Sequence, residues 1–288
     1  MSVAAKISER QISDEDLPFV DAVVNYSADV PRHYADVQNP VNTFRPLEPH
    51  TVRIKDARPI RDQLDLEKQG FMLMDHVSRV SHLRDEKYID GIYHQEIGEI
   101  FYKLSGCDFI LPYRKILQVR LSQRAPGENG NDYTRPASFV HVDYTQYSFN
   151  DVIRWVQKEN NMRVRTDYSR VVLYQCWRAV SKPPHDFPIA MTDGRSVKPG
   201  EWVIMDNLIG PKEIDGNYIE TRIGKYSPNH SWYYFSDMRA DELLLFKGND
   251  TKWGDNQNVL HTGFDNTAKH PNASYRESIE TRFLGFWE

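Results

Sequence analysis

The spacing of apolar positions changes near residue 115. Before it, one segment has helical spacing. In KYIDGIYHQEIGEIFYKLSG, Ile89, Ile92, Tyr93, Ile97, Ile100, Phe101 and Leu104 recur at steps of three and four, and Gly106 supplies a stop. This predicts a scaffold helix covering a sheet. TVRIKDARPI (51–60) predicts a strand, then a polar helical stretch closed by Gly70, then a second strand in FMLMDH (71–76). The first forty-five residues are polar, with short apolar patches and several prolines, and read as an irregular arm.

From Lys115 onward the chain is a series of short alternating or apolar runs separated by turn residues. They are KILQVRLS (115–122), SFVHVDYT (138–145), RVVLYQCW (170–177), FPIAMT (187–192), EWVIMD (201–206), HSWYYF (230–235), ELLLFK (242–247), VLHTGF (259–264) and IETRFLGFW (279–287). One helix interrupts them around FNDVIRWVQKEN (149–160). Many short strands punctuated by Gly, Pro, Asn and Asp point to a sandwich or barrel. The expected fold is mainly β with α: a double-stranded β-helix (jelly roll, cupin-like) with a helical N-terminal layer. The expected organisation is a single domain over 1–288, with arm and helical layer in 1–114 and jelly-roll core in 115–288.

Composition narrows the function classes. A chain of 288 residues, 40% hydrophobic and 27% charged, has the ordinary globular balance and is long enough to bury a sizeable core. The net charge of −5, without a long basic run, argues against nucleic-acid binding. Cys107 and Cys176 are the only cysteines, so a thiolate zinc site or a disulfide framework is excluded, although one bridge between them is not. No apolar run approaches the ~20 residues of a membrane span, and the N-terminus lacks a signal-like apolar stretch. A soluble protein of the reducing cytoplasm is expected.

Two places carry a carboxylate two residues after a histidine. His94 and Glu96 lie in the predicted helix, where two steps of about 100° turn them to nearly opposite sides. His141 and Asp143 lie in a strand pattern, where residues i and i+2 share a face and can converge on one ion. Two histidines and one carboxylate form the facial set of non-haem iron(II) oxygenases. The third ligand must come from downstream. His185 and His270 sit in proline-flanked loops, whereas His230 and His261 are associated with strands; His261 is favoured because the strand after it carries further chemistry.

That chemistry is Arg276-Glu277-Ser278. Arg276 and Ser278 share a strand face, and a guanidinium fork with a hydroxyl beside it suits the far carboxylate of a keto-diacid cosubstrate. Arg282 and Arg178 compete for the same role, and Arg276 pairing with Glu277 or Glu280 at the surface is the structural alternative. Gln118 and Arg120 alternate along KILQVRLS and are placed inward, Gln118 toward the cosubstrate and Arg120 toward substrate. Arg178, a charge inside an apolar strand, needs a partner if buried. A substrate carboxylate qualifies, and so does a structural acid such as Asp193. Trp177, Trp232 and Tyr233 are candidate cavity-lining aromatics.

HVDYT, CWRA, PIAMTDG, NHSWYYFSDMRADELLLFKGND, HTGF and RESIETRFLGFW, in this order over more than half of the chain, resemble the fungal and bacterial 2-oxoglutarate-dependent hydroxylase/desaturase family. The resemblance implies a jelly roll, iron(II), 2-oxoglutarate, dioxygen and a small secondary-metabolite or amino-acid-like substrate. Carried over position by position, it gives His141, Asp143 and His261 the metal role, and Arg276 and Ser278 the cosubstrate role. It implies oxidation of an unactivated C–H bond by hydroxylation, desaturation or cyclisation. The chain departs from the family pattern at Ala179, where proline is expected, and at Gly263, where alanine is expected. Because Asp143 fills the carboxylate corner, a halogenase is not expected. Two other readings stand beside the oxygenase: a non-catalytic accessory jelly-roll subunit of a two-protein oxygenase, and a metal-binding jelly roll that does not use 2-oxoglutarate.

Overall fold

A computed structural model describes residues 13–36, 39–80, 88–114, 119–122, 135–209, 218–256 and 258–288, and structural statements below concern these. Two sheets face one another. The larger contains β1 (Phe19–Ser27), β2 (His33–Asp36), β3 (Leu47–Asp56), β7 (His141–Val142), β9 (Ile189–Thr192), β10 (Trp202–Leu208), β11 (Tyr218–Gly224), β12 (Trp232–Tyr234) and β14 (His261–Gly263). Their spatial order is β1-β3-β12-β9-β14-β7-β11-β10-β2. The smaller sheet contains β4 (Phe71–Asp75), β5 (Phe109–Tyr113), β8 (Arg170–Ala179), β13 (Glu242–Asp250) and β15 (Glu277–Trp287), ordered β4-β13-β8-β15-β5, with β6 (Val119–Leu121) also paired to β15. This is the expected jelly roll.

The central strands β8 and β15 are buried on both faces, and residue parity sorts their side chains. Val172, Tyr174 and Cys176 on β8, with Ile279 and Phe283 on β15, face the helical layer. There they pack against Tyr93, Ile97 and Phe101 of a π-turn (Ile89–Tyr93) that runs into helix α1 (His94–Ser105). The opposite faces look into the sandwich. At one end Val171, Leu173, Leu284 and Phe286 are closed off by Phe149, Val152 and Val156 of α2 (Gln146–Glu159). At the other end Trp177 joins Ile189, Met191 and Phe246, and the interior turns polar. Functional groups occupy that end.

The described residues among the first forty-five do not form an irregular arm. β1 pairs antiparallel with β3 along nine residues, and β2 pairs parallel with β10, so this segment supplies both edges of the larger sheet. Val20, Ala22, Val24 and Tyr26 of β1 point inward. Phe19 and Val23 on the outward face are exposed, which blurs the alternation that marks a half-buried strand. The stretch before Gly70 is a short 3-10 helix (Arg58–Gln63) followed by turns. Cys107 and Cys176 are both buried and unpaired, so no disulfide joins them. Among the described residues no helix is long and apolar enough to cross a membrane.

Candidate metal centre and cosubstrate pocket

β14 lies between β9 and β7, and its register sets His261 directly opposite His141. The two imidazoles meet with ring centroids 4.2 Å apart. Asp143, one residue beyond the end of β7, turns to the same side. One ligand atom from each of His141, Asp143 and His261 lies within 4.8 Å of the others. Among the described residues this triad is the one His/Cys/Asp/Glu group so placed.

Hydrogen bonding shows what the triad is built to hold. His141 Nδ1 lies 2.9 Å from the Phe139 carbonyl and His261 Nδ1 lies 3.2 Å from the Val259 carbonyl. A carbonyl only accepts, so each Nδ1 carries the proton and each Nε2 offers its lone pair to the cluster. The Nε2 atoms stand 3.8 Å and 3.9 Å from Asp143 oxygens, beyond hydrogen-bond reach. Asp143 Oδ2 is buried with no hydrogen-bond partner among the described residues. An unbonded carboxylate oxygen facing two imidazole lone pairs is unfavourable unless a cation lies between them, and this donor set fits iron(II).

Electrostatics keep the ligands in their binding forms. Burial, and the unfavourable crowding of a second positive charge beside His261, push the His141 imidazole down to about 4, so a proton does not compete for it near neutrality. Burial alone would raise the Asp143 pKa, but the Arg282 guanidinium and the two imidazoles hold the carboxyl well below the usual range. Arg282 donates to Asp143 Oδ1 at 3.1 Å, to the Tyr144 hydroxyl at 2.9 Å and to Glu280. This fixes one oxygen of Asp143 and leaves the other for the metal. Arg282 is therefore not a cosubstrate anchor; its charge is shared between two carboxylates.

Arg276 has no carboxylate within ion-pair distance among the described residues. It is buried, Nε donates to Ser278 Oγ at 3.1 Å, Nη1 donates to the Phe187 carbonyl at 3.0 Å, and the guanidinium lies 5.2 Å from the Trp177 ring centre. Burial, with the nearby Arg120 charge, pushes it down to about 9, which marks a cation short of an anion. One pocket is lined by His141, Asp143 and His261 at one side and by Arg276 and Trp177 at the other. Arg120 also lines it, 3.7 Å from Glu280. Gln118 lies outside the described residues.

Arg178 is a correction. Trp177 and Arg178 are adjacent on β8, so they point to opposite faces, and Trp177 takes the pocket side. Arg178 is buried beneath the helical layer instead, donating to the Tyr93 hydroxyl at 3.0 Å, to the carbonyls of His76 and Ala240, and to His76 Nδ1. Its side chain thus lies on the helical side of β8, away from the triad. Asp193 is not its partner either, since that carboxylate pairs with Arg195. His230 bonds Tyr26 and Glu201, and His185 bonds the Ser181 carbonyl, so neither joins the triad. His94 and Glu96 part as the helix geometry requires, Glu96 accepting from Ser78 and Arg79.

Gly263 has a visible reason. A Cβ there would lie 2.4 Å from Phe187 Cε1 and 2.6 Å from Cδ1, so the alanine of the family pattern does not fit while Phe187 holds this position. Gly263→Ala is expected to lower stability by about 1–3 kcal/mol through overpacking. It should also raise KM for 2-oxoglutarate, because the displaced Phe187 carries the carbonyl that orients Arg276. Calorimetric melting and cosubstrate titration check both effects; unchanged values in both would show that Phe187 moves freely.

Facing jelly-roll sheets, with two histidines and an aspartate on one and a buried, anion-seeking arginine on the other, define a metal-dependent oxidoreductase of the keto-acid-using type. Comparison with known proteins agrees. A family model described as "YDMC: Oxidoreductase/YMDC permease-like domain" matches residues 14–286. The gibberellin cluster GA4 desaturase of Gibberella fujikuroi is 30% identical, over 86% of this chain and 90% of that protein. The Fe(II)/2-oxoglutarate-dependent dioxygenase nvfI of Aspergillus novofumigatus is 25% identical, over 83% of this chain and 84% of the relative. A solved structure of the iron and alpha-ketoglutarate-dependent endoperoxidase NvfI superposes with a TM-score of 0.77 at 22% identity, covering 93% of this chain and 97% of that one. The chain belongs to the family of Fe(II)/2-oxoglutarate-dependent dioxygenases that includes these fungal hydroxylases and desaturases.

Proposed function

We propose that the chain oxidises an unactivated C–H bond of a small secondary metabolite, with His141, Asp143 and His261 as the iron(II) ligands and Arg276 with Ser278 as the anchor for the far carboxylate of 2-oxoglutarate. The observation that supports this reading best is the pairing, in one pocket, of an unbonded Asp143 oxygen between two imidazole lone pairs with a buried guanidinium that lacks an acid. When bound, iron(II) and 2-oxoglutarate would activate dioxygen, the oxidant, with electrons supplied by oxidative decarboxylation of the keto acid to succinate and carbon dioxide.

The protein's part is positioning. His141 and His261 present Nε2 because backbone carbonyls hold their Nδ1 protons. Arg282 restrains the Asp143 carboxylate, and Trp177 and Ile189 line the space between the triad and Arg276. Desaturase, hydroxylase and endoperoxidase all occur among the relatives' names, so the ligand set leaves the outcome to how the substrate is held. We place the whole chain in one oxygenase domain, since strands from its N-terminal part complete both sheets. Two unpaired buried thiols suit the reducing cytoplasm.

The test is anaerobic. Iron(II) and then 2-oxoglutarate are added to metal-free protein while the visible charge-transfer band of a chelated keto acid is followed. The band is expected in the wild type, lost in His141→Ala, and shifted to at least roughly tenfold higher 2-oxoglutarate in Arg276→Ala, whose charge-assisted hydrogen bonds are gone. Folded, iron-loaded protein without a band would overturn the cosubstrate assignment. Stoichiometric succinate formation separates an active oxygenase from an accessory subunit or from a jelly roll with other metal chemistry.

A further inference from the structure

A larger cavity of about 670 Å³ opens beside the metal triad and shares His141 and Asp143 with it. Ala35 and Asp36 of β2 and Pro40, Thr43 and Arg45 before β3 line one part of its wall, and Arg120 and Arg135 line it as well. Phe139 forms the floor between that wall and the triad, with its ring centroid 5.0 Å from that of His141. The Arg45 guanidinium lies over the same ring, 4.3 Å from the Phe139 centroid. One aromatic ring thus contacts both a cation and a metal-facing imidazole.

Arg45 is half-buried and, among the described residues, has no carboxylate within ion-pair distance. Asp36, the acid on the same wall, accepts instead from the Asn39 backbone and the Asn42 amide. The neighbouring His33 is buried, its pKa lowered by burial and by Arg45, so it brings no negative charge. Burial also lowers the pKa of Arg45 itself. Several other buried or half-buried arginines are matched by acids, Arg282 by Asp143 and Glu280, Arg58 by Glu242 and Arg170 by Asp250, and Arg178 is satisfied by neutral groups; Arg45 shares its lack of an acid with Arg276. A guanidinium fork left unmatched in a cavity wall, stacked on an aromatic face that orients it, is a receptor for a planar anion.

We propose that Arg45 is the substrate anchor and that the substrate bears a carboxylate. The carboxylate pairs with Arg45 above Phe139, and the rest of the molecule fills the cavity toward His141 and Asp143. This assignment rests on the triad being the metal centre, because the triad is what makes the neighbouring cavity a substrate cavity. It moves the substrate's charge away from Arg178, and it separates the two carboxylate sites of the reaction, Arg276 for the cosubstrate and Arg45 for the substrate.

The experiment uses full-length, iron(II)-loaded protein under anaerobic conditions, with N-oxalylglycine saturating the cosubstrate site. Calorimetry measures binding of 1-adamantanecarboxylate and of its uncharged match, 1-adamantanecarboxamide. The wild type is expected to bind the carboxylate at least tenfold more tightly than the amide. Arg45→Gln should bring the two within about twofold of one another while leaving the amide's affinity unchanged, and Arg45→Lys should retain part of the preference. Equal affinities in the wild type, a preference that survives Arg45→Gln, or no binding of either probe overturns the proposal. The 2-oxoglutarate band, recorded separately on the same proteins, tests the metal reading alone. Its presence together with a failed probe result rejects the anchor and keeps the metal centre, whereas its absence rejects the metal reading whatever the probes do.

Discussion

Asp143→Ala should abolish succinate formation while leaving the fold intact. The carboxylate is the only anionic member of the triad, and its Oδ2 has no hydrogen bond among the described residues, so its removal strips the site of its charge complement to a dication. Changing a residue that merely orients a metal ligand typically costs roughly 10–100-fold in affinity or activity. Arg282→Met, which frees Asp143 Oδ1, should fall in that range, and Asp143→Ala should exceed it. The fold should tolerate Asp143→Ala because Arg282 keeps Glu280 and the Tyr144 hydroxyl as partners. Anaerobic iron titration with circular dichroism as the folding control checks both variants. If Asp143→Ala bound iron as tightly as wild type, the triad would not be the metal centre.

The grading between those two variants also says which parts of the centre can be read from sequence. His141 and Asp143 are legible because a strand's period of two is local: five residues of strand pattern suffice to place both side chains on one face. His261 is less so. It competes with His230, which sits in an equally strand-like run, and the choice depends on the pairing of β14 with β7, a contact across more than a hundred residues of chain. Arg282 falls on the inward face of β15 by the same parity that places Arg276 and Ser278. Its actual role follows from Asp143 lying across the gap, which no local pattern reports.

The fold shows the same division. β8, β13 and β15 announce themselves as apolar runs because they are buried on both faces. β1 and β2 were hidden among polar residues and prolines, although they close both edges of the larger sheet and, through Ala35 and Arg45, reach the substrate cavity. Edge strands carry half the hydrophobic signal of central ones and owe their place to partners far away in sequence. β11 escaped notice for a related reason: in YIETRIG its buried Arg222 reads as a surface charge until the Tyr144 carbonyl and Asp255 appear beside it.

Arg178→Met is the second large effect, and it should be one of stability. Arg178 joins three separate pieces of chain on the outer side of the smaller sheet: Tyr93 in the π-turn that leads into α1, His76 just after β4, and the Ala240 carbonyl before β13. A methionine fills similar volume but leaves a buried hydroxyl, two carbonyls and an imidazole nitrogen short of a donor. Each buried polar group left unsatisfied costs about 1–3 kcal/mol, partly offset where water enters. A net loss of about 3 kcal/mol, or ~5 °C in melting temperature for a chain of this size, is the expected result of differential scanning calorimetry. Below the lowered melting point, the keto-acid band and the 2-oxoglutarate affinity should match wild type, because Trp177, not Arg178, faces the pocket. An unchanged melting temperature with a weakened substrate affinity would reverse the assignment and return Arg178 to the substrate side of β8. The sign of the result therefore reports directly on strand parity, since a one-residue difference along β8 decides whether a buried arginine holds a helix to a sheet or a substrate to a metal.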